Sequence, residues 1–163
     1  MKMQKGFSLI ELLIVVGIIL IIAAISIPAL TRARVAADES SAVGSLRTIN
    51  SAEISYNAAY PATGFSTSLA TLGGPLGTCT PSTATGCFID SVLSSGSKSG
   101  YLFAVGNGSC TAGSPQVCYS VVASPQFASY TGAKYFCSFE DGVVRYNTVA
   151  ISNPCPATVS PLQ

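Results

Sequence analysis

The sequence predicts an α+β chain. One long N-terminal helix, over about residues 8–60, lays its C-terminal half on a four-stranded antiparallel sheet. Three observations predict it. Residues 7–30 form an almost unbroken apolar run. From Val35 to Tyr60 apolar residues recur at helical spacing, and Pro61 ends the pattern. Beyond that, short β-prone runs alternate with Gly, Asn and Pro.

The apolar run comes first. Leu12 to Leu30 contains no charge, and about 20 residues at 1.5 Å each span a bilayer. A single carboxylate, Glu11, sits near its start. An acidic residue at mid-membrane costs about 3 kcal/mol on insertion scales, so Glu11 calls for a functional reason. Ser8 and Glu11 also fit a Ser-x-x-Glu capping box, with Phe7 and Leu12 spaced as a hydrophobic staple. Pro28 lies inside the helix, where it removes the hydrogen bond to the Ala24 carbonyl. That predicts a kink, or a place that unwinds under load.

The second half of the helix is amphipathic. Ala42, Val43, Leu46, Ile49, Ile54, Tyr56 and Tyr60 fall on one arc at about 100° per residue, and Ser40, Ser41, Ser45, Arg47, Thr48, Ser51 and Ser55 on the other. The apolar arc is the expected docking face, with Val43, Leu46 and Ile49 meeting Val121, Phe136 and Val144.

Residues 60–93 read as a loop rich in Gly, Thr, Ser and Pro, with a short helix over Ile89–Ser95. The predicted strands are Tyr101–Val105, Val117–Ala123, Lys134–Phe139 and Val143–Asn147. Asp141-Gly142 between the last two is a turn signal. A calcium role there needs more oxygen ligands than so acid-poor a chain offers.

Composition narrows the function. Of 163 residues only 9% are charged, against about 25% in ordinary soluble proteins, and the net charge is +1. Bulk charge therefore gives no argument for nucleic acid. With no His, imidazole general-base catalysis, Ser-His-Asp triads and His-ligated metals are excluded in this chain. No catalytic residues, metal ligands or cofactor site are expected. The six Cys lie at 79, 87, 110, 118, 137 and 155, with no Cys-x-x-Cys. An even count downstream of a membrane segment points to disulfides outside the cytoplasm. Six Cys allow 15 pairings. The local set Cys79–Cys87, Cys110–Cys118 and Cys137–Cys155 closes three short loops, and the last would pin the tail.

The segment Lys5-Gly6-Phe7-Ser8-Leu9-Ile10-Glu11-Leu12-Leu13-Ile14-Val15-Val16 resembles the N-terminal signature of the type IV pilin and pseudopilin family. The resemblance implies cleavage between Gly6 and Phe7 by prepilin peptidase, and N-methylation of Phe7. It makes Phe7, Glu11 and Pro28 assembly residues. Glu11 would be the fifth mature residue, able to meet the new Phe7 amine of a neighbouring subunit. Leu20 stands where many members carry Gly. The organisation implied is a leader over 1–6, a transmembrane and assembly helix over 7–30, an amphipathic half over 31–60, and a disulfide-bonded head over 61–163.

The function implied is a structural subunit, in the first place the major pilin of a type IV pilus for adhesion, twitching motility or DNA uptake. Nucleic acid would be only an indirect partner. The alternative is a pseudopilin of a type II secretion system. A secreted binding module or enzyme, released by signal peptidase, is a third reading. Implied partners are copies of the chain in a helical filament, the peptidase and methyltransferase, an ATPase-driven inner-membrane platform, and membrane lipid before assembly. The precursor is expected in the inner membrane with its N-terminus cytoplasmic, and the assembled chain at the cell surface.

Overall fold

The computed structural model of the chain describes residues 7–74, 77, 79–110, 113 and 115–162. The leader expected over 1–6 lies outside them. The chain forms two units, Met1–Arg34 and Val35–Gln163. Helix α1, Leu9–Ala59, contributes to both.

In the first unit α1 is apolar all round. Leu9, Leu13, Ile18, Ile21, Ile25 and Leu30 are each more than half exposed. A helix with no dry side needs lipid or other helices around it. It is long and apolar enough to cross a bilayer. It continues through Pro28, and just beyond, the Thr31 hydroxyl donates to the Ile27 carbonyl at 3.1 Å.

In the second unit the sheet has five antiparallel strands in sequential order, not four. They are β1 Ser97–Lys98, β2 Tyr101–Gly106, β3 Ser120–Pro125, β4 Tyr135–Phe139 and β5 Arg145–Asn147. Strand β1 has two polar residues and no alternation, so hydropathy could not reveal it; it pairs Ser97 with Leu102. The strand expected from Val117 starts later, at Ser120. Cys118 is tied to Cys110, and the Gln116 side chain donates to the Asn107 and Cys118 carbonyls, so this stretch is held as a loop. The strand expected from Val143 starts at Arg145, because the Val143 N–H is engaged by Asp141 and the Val144 carbonyl by the Leu162 N–H. Glu140-Asp141-Gly142 forms the turn, with Gly142 at φ +70°. Burial pushes the Asp141 carboxyl up, but hydrogen bonds from Arg145 and the Val143 N–H outweigh it and hold it below its ordinary value.

The stretch expected to be loop holds a further short helix, α2, Leu69–Leu72, capped by Ser68, whose hydroxyl accepts from the Thr71 N–H. Helix α3, Ser91–Ser94, is shorter than the span anticipated.

One face of the sheet packs on α1. Leu46, Ile49, Tyr56, Tyr101, Tyr119, Val121 and Phe136 are almost fully buried in one cluster with Val144, and Val43 packs at its edge. Each such side chain contributes about 1.5–3 kcal/mol of transfer free energy. The buried arc of α1 differs from the predicted one. Ile54 is 61% exposed. It stands about 100° round from Glu53, which is fully buried, so the arc centres elsewhere. Ser45, assigned to the solvent side, is buried, as are Asn50 and Glu53. The opposite face of the sheet is covered by the C-terminal tail, where Val122, Cys137 and Cys155 make a second cluster with Phe139, Ile151 and Val159.

Candidate functional site

The N-terminal turn of α1 is built by backbone alone. The Ser8 carbonyl accepts from the N–H groups of Glu11 and Leu12 at 3.1 and 3.2 Å. The capping box that the spacing suggested does not form among the described residues. Neither the Ser8 hydroxyl nor the Glu11 carboxylate makes a hydrogen bond there, and Glu11 is exposed. Its charge is thus left for a partner outside the helix. Phe7, four residues earlier and ahead of the helix, is 73% exposed. Gly6, the expected cleavage position, lies outside the described residues. Pro28 sits further along the same apolar cylinder.

The head is held by bonds that hydropathy did not reveal. Asn50 reaches three neighbours. Its Nδ2 donates to the Ser138 hydroxyl at 2.9 Å and the Gly142 carbonyl at 3.3 Å, and its Oδ1 accepts from the Tyr119 hydroxyl at 3.2 Å. One side chain thereby ties α1 to β4, to the β4–β5 turn and to the lead-in of β3. Replacing Asn50 with Ala leaves the Ser138 and Tyr119 hydroxyls buried without it. We expect a loss of about 1–3 kcal/mol, read as a lower thermal midpoint of the detergent-solubilised chain. An unchanged midpoint would show the seam to be dispensable.

Glu53 is the second such residue. Its Oε2 accepts from the Ser66 N–H at 2.9 Å and its Oε1 from the Ser66 hydroxyl at 2.6 Å. Burial raises its pKa to about 7, against the lowering effect of those two bonds. Both residues sit on the buried arc with helical spacing, and only the partners across the fold distinguish them from surface polar residues. Lower on the same face, the Glu39 carboxylate accepts from the Ala133 N–H at 3.0 Å and meets Lys134 at 3.1 Å.

The structure joins Cys79 to Cys87, Cys110 to Cys118 and Cys137 to Cys155. Among the described residues no three His, Cys, Asp or Glu side chains converge on a point where a metal could sit.

Residues 1–27 match the family described as the prokaryotic N-terminal methylation motif. No curated protein and no solved structure matches the chain. The motif, followed by an exposed apolar helix, fits a membrane-anchored precursor of the prepilin type. The match covers the N-terminal segment alone; together with the α+β head it supports a relation to the type IV pilin and pseudopilin family, and the motif implies processing by prepilin peptidase.

Proposed function

We propose that this chain is a structural subunit, the major pilin, of a type IV pilus. The observation that carries the reading is the apolar helix over 9–30, exposed on every side and bearing one carboxylate, Glu11, with no partner among the described residues. Such a helix is stable in lipid as a precursor and in a bundle of like helices as a fibre. The head suits the outside of a fibre, since three disulfides stabilise it and it offers few charges to repel copies of itself. In this reading prepilin peptidase cleaves between Gly6 and Phe7, Phe7 is methylated, and an ATPase-driven inner-membrane platform lifts subunits from the bilayer. The fibre reaches the cell surface and serves adhesion, twitching or DNA uptake.

Mass spectrometry and imaging test this together. The mature chain is expected to start at methylated Phe7, and a deletion strain is expected to lose surface fibres. A mature start near Ile27 would point instead to a released protein. A start at Phe7 with surface fibres intact, but protein export lost, would assign the chain to a secretion pseudopilus.

A further inference from the structure

The carboxyl group of Glu53 is wholly enclosed, yet among the described residues no cation faces it. Among the described residues the ion pairs are Lys98–Asp90, Lys134–Glu39 and Arg145–Asp141, and none involves it. A buried carboxylate without a counter-charge is expensive, and the protonated form relieves the cost. The arrangement around it serves both forms. The Ser66 hydroxyl lies 2.6 Å from Oε1 and also 3.3 Å from the Ser68 carbonyl. When Glu53 is ionised, the hydroxyl donates to the carboxylate. When Glu53 carries a proton, Oε1–H donates to Ser66 Oγ, and the Ser66 hydroxyl turns to the Ser68 carbonyl. The Ser66 N–H continues to donate to Oε2 in both states. No polar atom is orphaned by the change.

Beside Ser66 lies a cavity of about 230 Å³ lined by Tyr56, Thr63, Thr71, Thr83 and Gln116 as well as Ser66 itself. Its walls carry hydroxyls and an amide that can partner water, beside the Phe65 ring.

We propose that Glu53, Ser66 and Ser68 form a proton-binding relay that fastens the segment following α1 to the helix more firmly in mild acid. The fastened segment, residues 60–68, is the link from α1 to α2, and its backbone is otherwise secured by the Phe65–Gln116 and Gln116–Thr63 bonds. The other titratable groups near Glu53 are phenols. Tyr56 comes from α1, and Tyr119 from the stretch before β3. Burial raises both, and the Glu53 charge adds to it, so they stay neutral through the relevant range. Glu140 and Asp141, on the β4–β5 turn, act on Tyr119 with the same sign.

The sign follows from linkage. The folded head holds this proton up to about pH 7, whereas an unfolded Glu releases it near 4.5. Stability therefore rises as pH falls through 7, is complete below about 4.5, and is lost above 7.

The test uses the full chain in detergent, with Glu11→Gln as background so that Glu11 does not contribute. Thermal midpoints are measured between pH 8 and pH 5. The parent is expected to gain several degrees towards acid. Glu53→Gln is expected to abolish that slope, because its amide mimics the protonated state by donating to Ser66 Oγ. A slope that survives Glu53→Gln, or a parent that weakens towards acid, overturns the relay. If Glu53→Gln does not fold, infrared difference spectra of the parent decide. A protonated carboxyl carbonyl band appearing near neutral pH supports the relay. A band developing only in the ordinary carboxylate range, near 4.5, refutes it.

Discussion

Glu11→Gln is expected to abolish fibres while the precursor inserts, is cleaved and accumulates normally. The amide keeps the size and helical preference of the side chain and removes only its charge. In the membrane this lowers the insertion cost rather than raising it, so insertion should not suffer. Among the described residues the Glu11 carboxylate makes no capping bond, so the helix start should not suffer either. The loss falls on assembly. In the reading proposed above, cleavage between Gly6 and Phe7 exposes a positive amine, and in a bundle of apolar helices the opposing group is Glu11 of a neighbour. Removing one partner of a buried pair costs about 3–5 kcal/mol, because the other charge is then left without compensation. At 1.4 kcal/mol per tenfold, each contact weakens by about two to three and a half orders of magnitude. In that reading the charge also selects a single axial stagger between apolar surfaces that otherwise slide. Immunoblots of sheared fibres against membrane fractions would measure both steps. Normal fibres from this variant would remove the register role of Glu11, and a failure of insertion or cleavage would show that its role precedes assembly.

The features that set the architecture were legible because they are periodic or punctuated. The apolar run, the repeat through Leu46 and Ile49, and the stop at Pro61 each follow from local rules, and α1 ends at Ala59. Tyr101–Val105 and Lys134–Phe139 were visible as β-prone runs, and the strands formed are Tyr101–Gly106 and Tyr135–Phe139. What escaped was decided by partners far along the chain. Asn50 and Glu53 look like solvent residues in sequence, and only Ser138, Tyr119 and Ser66 make them interior. Ile54 looks like core, but it lies past the edge of the arc those residues define. Strand β5 begins late because Asp141 and Leu162 claim the backbone groups a longer strand would have used. At Glu11 the capping spacing is present, but among the described residues neither Ser8 nor Glu11 makes the side-chain bonds that spacing allows.

Removing the Cys137–Cys155 bridge, with both residues replaced by Ala, is expected to destabilise the head more than loss of either shorter bridge. The bond closes a separation of 18 residues, against 8 for Cys79–Cys87 and Cys110–Cys118. On the loop-entropy account such a loop contributes about 3 kcal/mol, and the longer loop exceeds the shorter ones by roughly 0.7 kcal/mol. Position adds to this. The bridge holds the tail over the outer face of the sheet, where Ile151 and Val159 cover Val122 and Phe139. Beyond Cys155 the tail is fixed by few bonds: Tyr146 N–H to the Ser160 carbonyl, and Leu162 N–H to the Val144 carbonyl. Leu162 then packs at the edge of the main core. Freed at Cys155, the tail must keep these contacts against the full conformational entropy of its chain, about 1–2 kcal/mol per residue. The expected result is a thermal midpoint lowered by about 6–12 °C and new proteolytic cuts within residues 148–162. A lowered midpoint without such cuts would locate the effect in the sheet rather than the tail. An unchanged midpoint would mean that packing alone, without the cross-link, holds the tail over the sheet.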